Sequence, residues 1–366
     1  MDIEGGQVTL CSPMRVFHCV HCTQLLFYEN SVCMRCGRAL AYVPEESLLV
    51  ALDREGANLW RSTRTGKNYR LCENYVKHNV CNWAIREDDP EALCRACRLT
   101  RTIPNLSTPG NDRLWYKLEV AKRRLLYTFD QLGLPYRSKI EDPDNGLVFE
   151  FLDDAMTGHA EGVITVKVAE ADDAERVKAR IALKEPYRTL LGHFRHESGH
   201  YYWDRLIKDS PSIGAFRVLF GDDRADYQEA LHRNYQQGPP PNWQDSYVSG
   251  YAAMHPWEDW AETWAHYLHM VDTLETASAC GVKIEPPRHD EPTLTEVPNP
   301  VGDEEVSFER LIESWAPITY VLNNLNRGLG NDDAYPFVLS EPATKKLRFI
   351  HDTIAAKSQP LDAYYK

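Results

Sequence analysis

No stretch of the 366 residues reaches 18 consecutive apolar side chains, which excludes a membrane-spanning helix. Positive charge is scarce as well. The chain carries 41 Lys and Arg against 54 Asp and Glu, a formal net charge of −13 that argues against a general nucleic-acid binder. Residues 1–9 are acidic and contain glycine; they lack the basic start and apolar run of a secretory signal, so the expected compartment is the cytoplasm. Cysteine nearly vanishes after residue 97, where Cys280 stands alone, and no internal repeat is present. What the chain does have is 43% hydrophobic and 11% aromatic residues, enough to bury a sizeable core and too much for a disordered polymer. Its length predicts two or three domains. Residues 1–110 hold 13 basic and 12 acidic side chains, a net of +1, so the remainder carries −14. That asymmetry points to two modules.

Nine of the ten cysteines precede residue 98, and a disulfide framework would require an oxidising compartment. Cys19-x2-Cys22 and Cys33-x2-Cys36 form two CxxC knuckles, each offering two thiolates to one tetrahedral metal at about 2.3 Å. Gly37 supplies the permissive backbone that such a turn often needs. His18 and His21 flank the first pair, but four cysteines already complete a site. A second set follows in Cys72, Cys81, Cys94 and Cys97, with His78 competing for the place of Cys72 or Cys81. Cys11 is read as a free or buried thiol. Between the sets, residues 47–52 read as an apolar strand, and Arg61, Arg64, Lys67 and Arg70 make a basic patch, read foremost as a solvated face.

Residues 102–112 are rich in Pro, Gly, Ser and Asn and read as a linker. A helix should follow from an Asn111 or Asp112 cap, with Leu114, Leu118, Ala121, Leu125 and Phe129 at helical spacing and an end at Gly133-Leu-Pro135. Residues 146–152 and 162–169 read as strands, and helix begins again from Asp172. Residues 284–301 are Pro-rich, acidic and irregular, and helices are expected from Phe308 and over residues 341–356.

The chemistry concentrates in His196-Glu197-Ser198-Gly199-His200, an HExxH. On a helix, positions i and i+4 share a face, so both imidazoles can reach one zinc at about 2.0–2.1 Å. Glu197 then projects toward the open side of the metal, where it can take a proton from a metal-activated water and return it to a leaving amine. Gly199 inside a helix costs about 1 kcal/mol relative to Ala, which suggests that another backbone approaches there. His193 is read as a supporting or core histidine. A third ligand is offered by the segment from His255 to His266, where Pro256 fits the first turn of a helix and Trp257, Trp260, Ala261, Trp264, Ala265 and Leu268 form an apolar stripe. Glu258 and Glu262 lie one turn apart. As bare like charges they repel, so a cation between them is the more economical reading than a solvated acidic face. His255 is a poor helix cap, which weakens a capping role for Glu258. Glu258 is therefore taken as the third ligand. Glu262 would accept a hydrogen bond from the far nitrogen of a ligand histidine. The reverse assignment of the two acids stays open, and His266 and His269 are left outside.

HESGH followed by a helical EDWAE resembles the gluzincin clan of zinc metallopeptidases. The clan's third ligand maps to Glu258 and its second acid to Glu262. The resemblance also implies an oxyanion-stabilising tyrosine upstream, which by position falls on Tyr251, with Tyr247 as the alternative. The stretches GVITVKVAEADD, EPYRTLLGHFRHESGHYYWDRL, HPWEDWAETWAHYLHMVDTLETA and KKLRFIHD resemble a bacterial family of zinc metallopeptidases with an N-terminal zinc ribbon, over nearly the whole chain. By analogy with the clan, the strand over residues 162–169 is the sheet edge that would bind an extended peptide. The expectation is an α+β chain: a zinc-ribbon domain over residues 1–104 with two four-cysteine sites, and a mainly helical zincin-type domain with a small sheet over residues 111–366. It would carry one catalytic and two structural zinc ions and act on a protein or peptide. The competing reading is an inactive zinc-ribbon adaptor for protein or nucleic-acid partners. Oligomeric state is not legible.

Overall fold

The computed structural model describes residues 16–183, 188–288, 290–302 and 306–357. Cys11 and residues 1–9 lie outside them. The chain is α+β: cysteine knuckles and small sheets come first, and helices dominate the rest.

Strands β1 (Phe17–His18) and β2 (Leu25–Leu26) pair antiparallel and brace the first knuckle, where Thr23 N donates to Cys19 O at 2.8 Å. A five-stranded antiparallel sheet follows, made of β3 (Ala39–Val43), β4 (Leu48–Arg54), β5 (Trp60–Ser62), β6 (Asn68–Leu71) and, after helix α1 (Glu73–His78), β7 (Ala84–Arg86). Only its second strand is legible in the sequence. The others are three to five residues long, too short to display a period. The sheet curls until its first and last strands meet, with Tyr42 bridging Trp83 and Tyr42 N donating to Asn82 O at 2.8 Å. The basic patch lies on the β5–β6 hairpin. Arg61, Arg64 and Lys67 are exposed, whereas Arg70 ties down the backbone carbonyls of Asp89 and Glu91.

Helix α2 (Arg95–Arg98) starts just after Cys94, contains Cys97 and leads into β8 (Thr100–Thr102). Then come α3 (Asn111–Gln131), β9 (Val148–Leu152), β10 (Gly158–Ala160) and β11 (Val163–Lys167). These four strands form one sheet in the order β10-β11-β9-β8, with β9 parallel to both neighbours and β10 antiparallel to β11. The expected edge strand is therefore corrected. The strand over residues 163–167 is interior, and the short β10 covers it. A two-residue hairpin makes this possible: Glu161 and Gly162 both have positive φ (49° and 78°), the conformation that a tight type I′ turn requires. A Cβ on Gly162 would also sit 2.2 Å from Gly146 O.

The helical part continues with α4 (Asp173–Leu183), α5 (Leu190–Leu206), α6 (Ile213–Phe220), α7 (Tyr227–Gln237), α8 (Pro256–Ala279), α9 (Phe308–Gly328) and α10 (Glu341–Ala355). Helix α8 is the axis, with α5, α9 and α10 packed around it, and α3 supports α5 from behind. One hydrophobic core runs from Leu40 and Trp83 through Leu118 and Tyr127 to Trp260 and Trp264, so the cysteine-bearing half is cemented to the helical half. Among the described residues no helix is long and apolar enough to cross a membrane.

Candidate functional site

Thr189 caps α5, its hydroxyl accepting from Gly192 N at 2.9 Å. Nearly two turns in, the helix presents His196 and His200 on one face and Ser198 and Gly199 on the next. That second face docks on α8: Trp260 Nε1 donates to Gly199 O at 2.8 Å and Trp264 Nε1 to Ser198 Oγ at 3.2 Å. The close approach suggested by Gly199 is present, since a Cβ there would lie 2.8 Å from Ala261 Cα. Gly199→Ala should therefore destabilise the protein despite its better helix propensity. Overpacking costs about 1–3 kcal/mol, against about 1 kcal/mol gained in propensity, and backbone cannot rotate aside. A lower urea midpoint at unchanged m-value checks this; an unchanged or raised midpoint would show that the helices part freely.

The docking sets the register that places the first turn of α8 opposite the two histidines. That turn starts at Pro256, and here a sequence expectation is corrected. His255 does cap the helix, because its imidazole Nδ1 accepts from Trp257 N at 3.1 Å as a carboxylate would. Glu258 then points inward, 2% exposed. His196 Nε2 and His200 Nε2 are 3.2 Å apart, and Glu258 Oε2 lies 3.0 Å from the first and 3.5 Å from the second. Ligand bonds of about 2.0–2.1 Å at a tetrahedral metal give ligand–ligand edges of about 3.3 Å. The three atoms thus outline one face of such a tetrahedron. Glu258 Oε2 is buried and makes no hydrogen bond, an orphaned acceptor that a divalent cation would satisfy. Burial alone would raise the Glu258 carboxyl, but the imidazoles of His200 and His196 outweigh it and hold the group well below its ordinary value.

Glu262 occupies the far side of His196, with His196 Nδ1 donating to its Oε1 at 2.6 Å. Ser249 Oγ donates to the other oxygen at 2.6 Å and itself accepts from Ala252 N at 3.1 Å. This fixes His196 Nδ1 as a donor and leaves Nε2 as the nitrogen turned toward Glu258. Glu197 is buried, which pushes its carboxyl up. The Tyr251 ring centroid is 6.0 Å from that of His196, and burial with the charge of Glu258 raises its hydroxyl, leaving a neutral donor. Tyr247, the alternative, turns to α10 instead and packs under Lys346 at 4.1 Å.

His193, His266 and His269 have partners outside this cluster. His193 Nδ1 faces Glu170 at 3.2 Å, His266 bonds Tyr335 at 2.8 Å, and His269 meets Arg195. Four nearby residues carry no sequence signal: Tyr227, Ser249, Trp257 (whose ring lies 3.7 Å over His200) and His159 on β10, 6.3 Å from His200. Only Trp257 sits inside a patterned segment, and there it reads as core.

The eight N-terminal cysteines gather as expected from spacing into Cys19, Cys22, Cys33, Cys36 and into Cys72, Cys81, Cys94, Cys97. Their sulfurs stand 3.8 Å (Cys19–Cys36), 3.5 Å (Cys22–Cys33) and 3.7 Å (Cys81–Cys94) apart. Thiolates about 2.3 Å from a shared tetrahedral zinc are separated by about 3.8 Å, whereas a disulfide needs about 2.05 Å. The second set is buried throughout, and the first is half-open at Cys22 and Cys36. His78 stays out and packs on Trp115, ring centroids 5.2 Å apart.

Fold and site together define a zinc-ribbon protein whose helical half carries a His–His–Glu centre. The chain belongs to the family described as "Putative zinc-binding metallo-peptidase", whose profile matches residues 111–353, and a zinc-ribbon domain profile matches residues 16–108. Relatives in Mycobacterium bovis and in two strains of Mycobacterium tuberculosis, each bearing the printed description "Uncharacterized protein", are 43% identical over 356 residues, covering 95% of this chain and 98% of their own length. No solved structure matches the chain.

Proposed function

We propose that the protein is a cytoplasmic, gluzincin-type zinc endopeptidase with one catalytic and two structural zinc ions. The observation that carries this reading is the convergence of His196 Nε2, His200 Nε2 and the otherwise unbonded Glu258 Oε2, every pair within 3.5 Å. These three residues would hold the catalytic ion, with Glu258 rather than Glu262 as the third ligand. When bound, zinc supplies a Lewis acid that polarises the scissile carbonyl and eases deprotonation of water.

The rest falls to this chain's own side chains. Glu197 takes the proton of the attacking water and passes it to the leaving amine. Its raised affinity for a proton suits that return step. Glu262, steadied by Ser249, keeps His196 in the ligating tautomer. Tyr251 donates to the carbonyl oxygen as negative charge grows there. Trp257 covers His200 and keeps water from that face. The open edge of β10, one strand outside the edge first expected, would pair with an extended peptide. The ribbon would orient a protein substrate.

Metal analysis tests the reading. The wild-type chain should hold about three zinc ions. The double variant His196→Ala/His200→Ala should hold about two and lose cleavage of a mixed peptide library. Two ions in both proteins, with no cleavage by either, would leave an adaptor without a catalytic metal.

A further inference from the structure

The Glu258 carboxylate has two oxygens, and they are treated differently. Oε2 faces the imidazoles of His196 and His200, while Oε1 accepts a hydrogen bond from the Tyr227 hydroxyl at 2.8 Å. Tyr227 stands in the first turn of α7. Asp226 caps that helix, accepting from Glu229 N at 2.9 Å. The turn is tied to α8 by His255. Its Nδ1 accepts from Trp257 N at 3.1 Å, so Nε2 carries the proton and donates to Ala225 O at 3.1 Å. One imidazole thus caps the ligand helix and also holds the backbone two residues before Tyr227. The tyrosine ring is wedged edge-on between His255 and Trp257, with centroids at 5.4 and 5.8 Å. Tyr251, its ring centroid 6.0 Å from that of His196, is the second phenol at the site.

We propose that Tyr227 is the positioning residue for the third metal ligand: by occupying Glu258 Oε1 it leaves Oε2 alone to face the two histidines. This rests on the metal-centre reading above. The two tyrosines then divide the work, Tyr227 aiming the carboxylate and Tyr251 meeting the substrate. Without the Tyr227 hydroxyl the carboxylate is free to turn about its last bond and offer either oxygen or both.

The test uses the full chain loaded with zinc and the variants Tyr227→Phe and Tyr251→Phe, both of which keep ring packing. Chelator competition measures the affinity of the most labile zinc. Tyr227→Phe should weaken it about 10- to 100-fold, the usual effect of removing a group that orients a ligand, while Tyr251→Phe leaves it unchanged and lowers only turnover. Cobalt exchanged into that labile site should show a shifted visible spectrum in Tyr227→Phe alone. Equal affinity and an identical cobalt spectrum in wild type and Tyr227→Phe would overturn the inference while leaving the metal centre intact. A wild-type chain with no labile third ion would overturn both. Matching thermal midpoints show that the effect is local.

Discussion

Glu197→Gln should keep every zinc ion of the wild type and lose about 10²- to 10⁴-fold in kcat for peptide cleavage, the usual contribution of a positioned general base. The amide has the size of the carboxyl it replaces, and Glu197 lies buried beside the centre without being one of its three converging donors. Burial already works against the charge of this carboxyl. A neutral amide therefore removes a desolvation cost, and the thermal midpoint should hold or rise slightly. The contrast is Glu258→Gln, which removes the negative charge facing two imidazoles and should release the labile zinc together with activity. Metal analysis paired with mass spectrometry of cleaved peptides separates the two variants. Wild-type cleavage by a zinc-replete Glu197→Gln protein would mean that another group takes the proton.

The residues that converge at the centre were legible because each belongs to a short-range pattern. His196 and His200 are one turn apart in one helix, and Glu258 follows a proline that marks a helix start. The acidic pair Glu258 and Glu262, unfavourable alone, is reconciled once one acid faces the imidazole Nε2 atoms and the other accepts from His196 Nδ1. Gly199 announced the helix crossing by its cost. What stayed hidden depends on tertiary meetings with no periodic trace. Tyr227 and Ser249 reach the two acids from a separate helix and a loop. The edge strand β10 is three residues long and exists because a two-residue turn folds it back on β11. The His255 cap is invisible to residue-type preferences. Statistics favour Ser, Thr, Asp and Asn at a cap, but an imidazole lone pair aimed at the right N–H satisfies the same orphan donor.

The two cysteine sites should differ sharply in what they hold up, and Cys94→Ser should damage the fold far more than Cys22→Ser. Structural zinc in finger peptides contributes an apparent 10–16 kcal/mol or so, comparable to the whole stability of a domain, about 5–15 kcal/mol. How much of the protein feels that loss depends on what leans on the site. The first set is half-open and braced by strands of two residues each, so Cys22→Ser should cost its zinc and leave the rest near its normal melting temperature. The second set is fully buried, and burial drives the Cys94 thiol upward, so without a cation the cluster has no reason to hold charge or shape. Next to it, the buried Arg123 of α3 donates to Val80 O, one residue before Cys81. If that turn moves, the buried guanidinium loses this acceptor and keeps only Glu119, 4.0 Å away on its own helix, at a cost of about 1–3 kcal/mol. Helix α3 also carries the Tyr127 hydroxyl bond to Glu275 of α8 at 2.6 Å and packs behind α5, so the disturbance reaches the helices that hold His196 and Glu258. Cys94→Ser should thus lower the thermal midpoint by well over 10 °C by the usual conversion for a chain of this size, red-shift emission from the buried Trp83 and Trp115, and weaken the labile zinc of the distant centre. Equal midpoints for the two serine variants would show that α3 stands without the second site, and that the ribbon is joined to the helical half but does not support it.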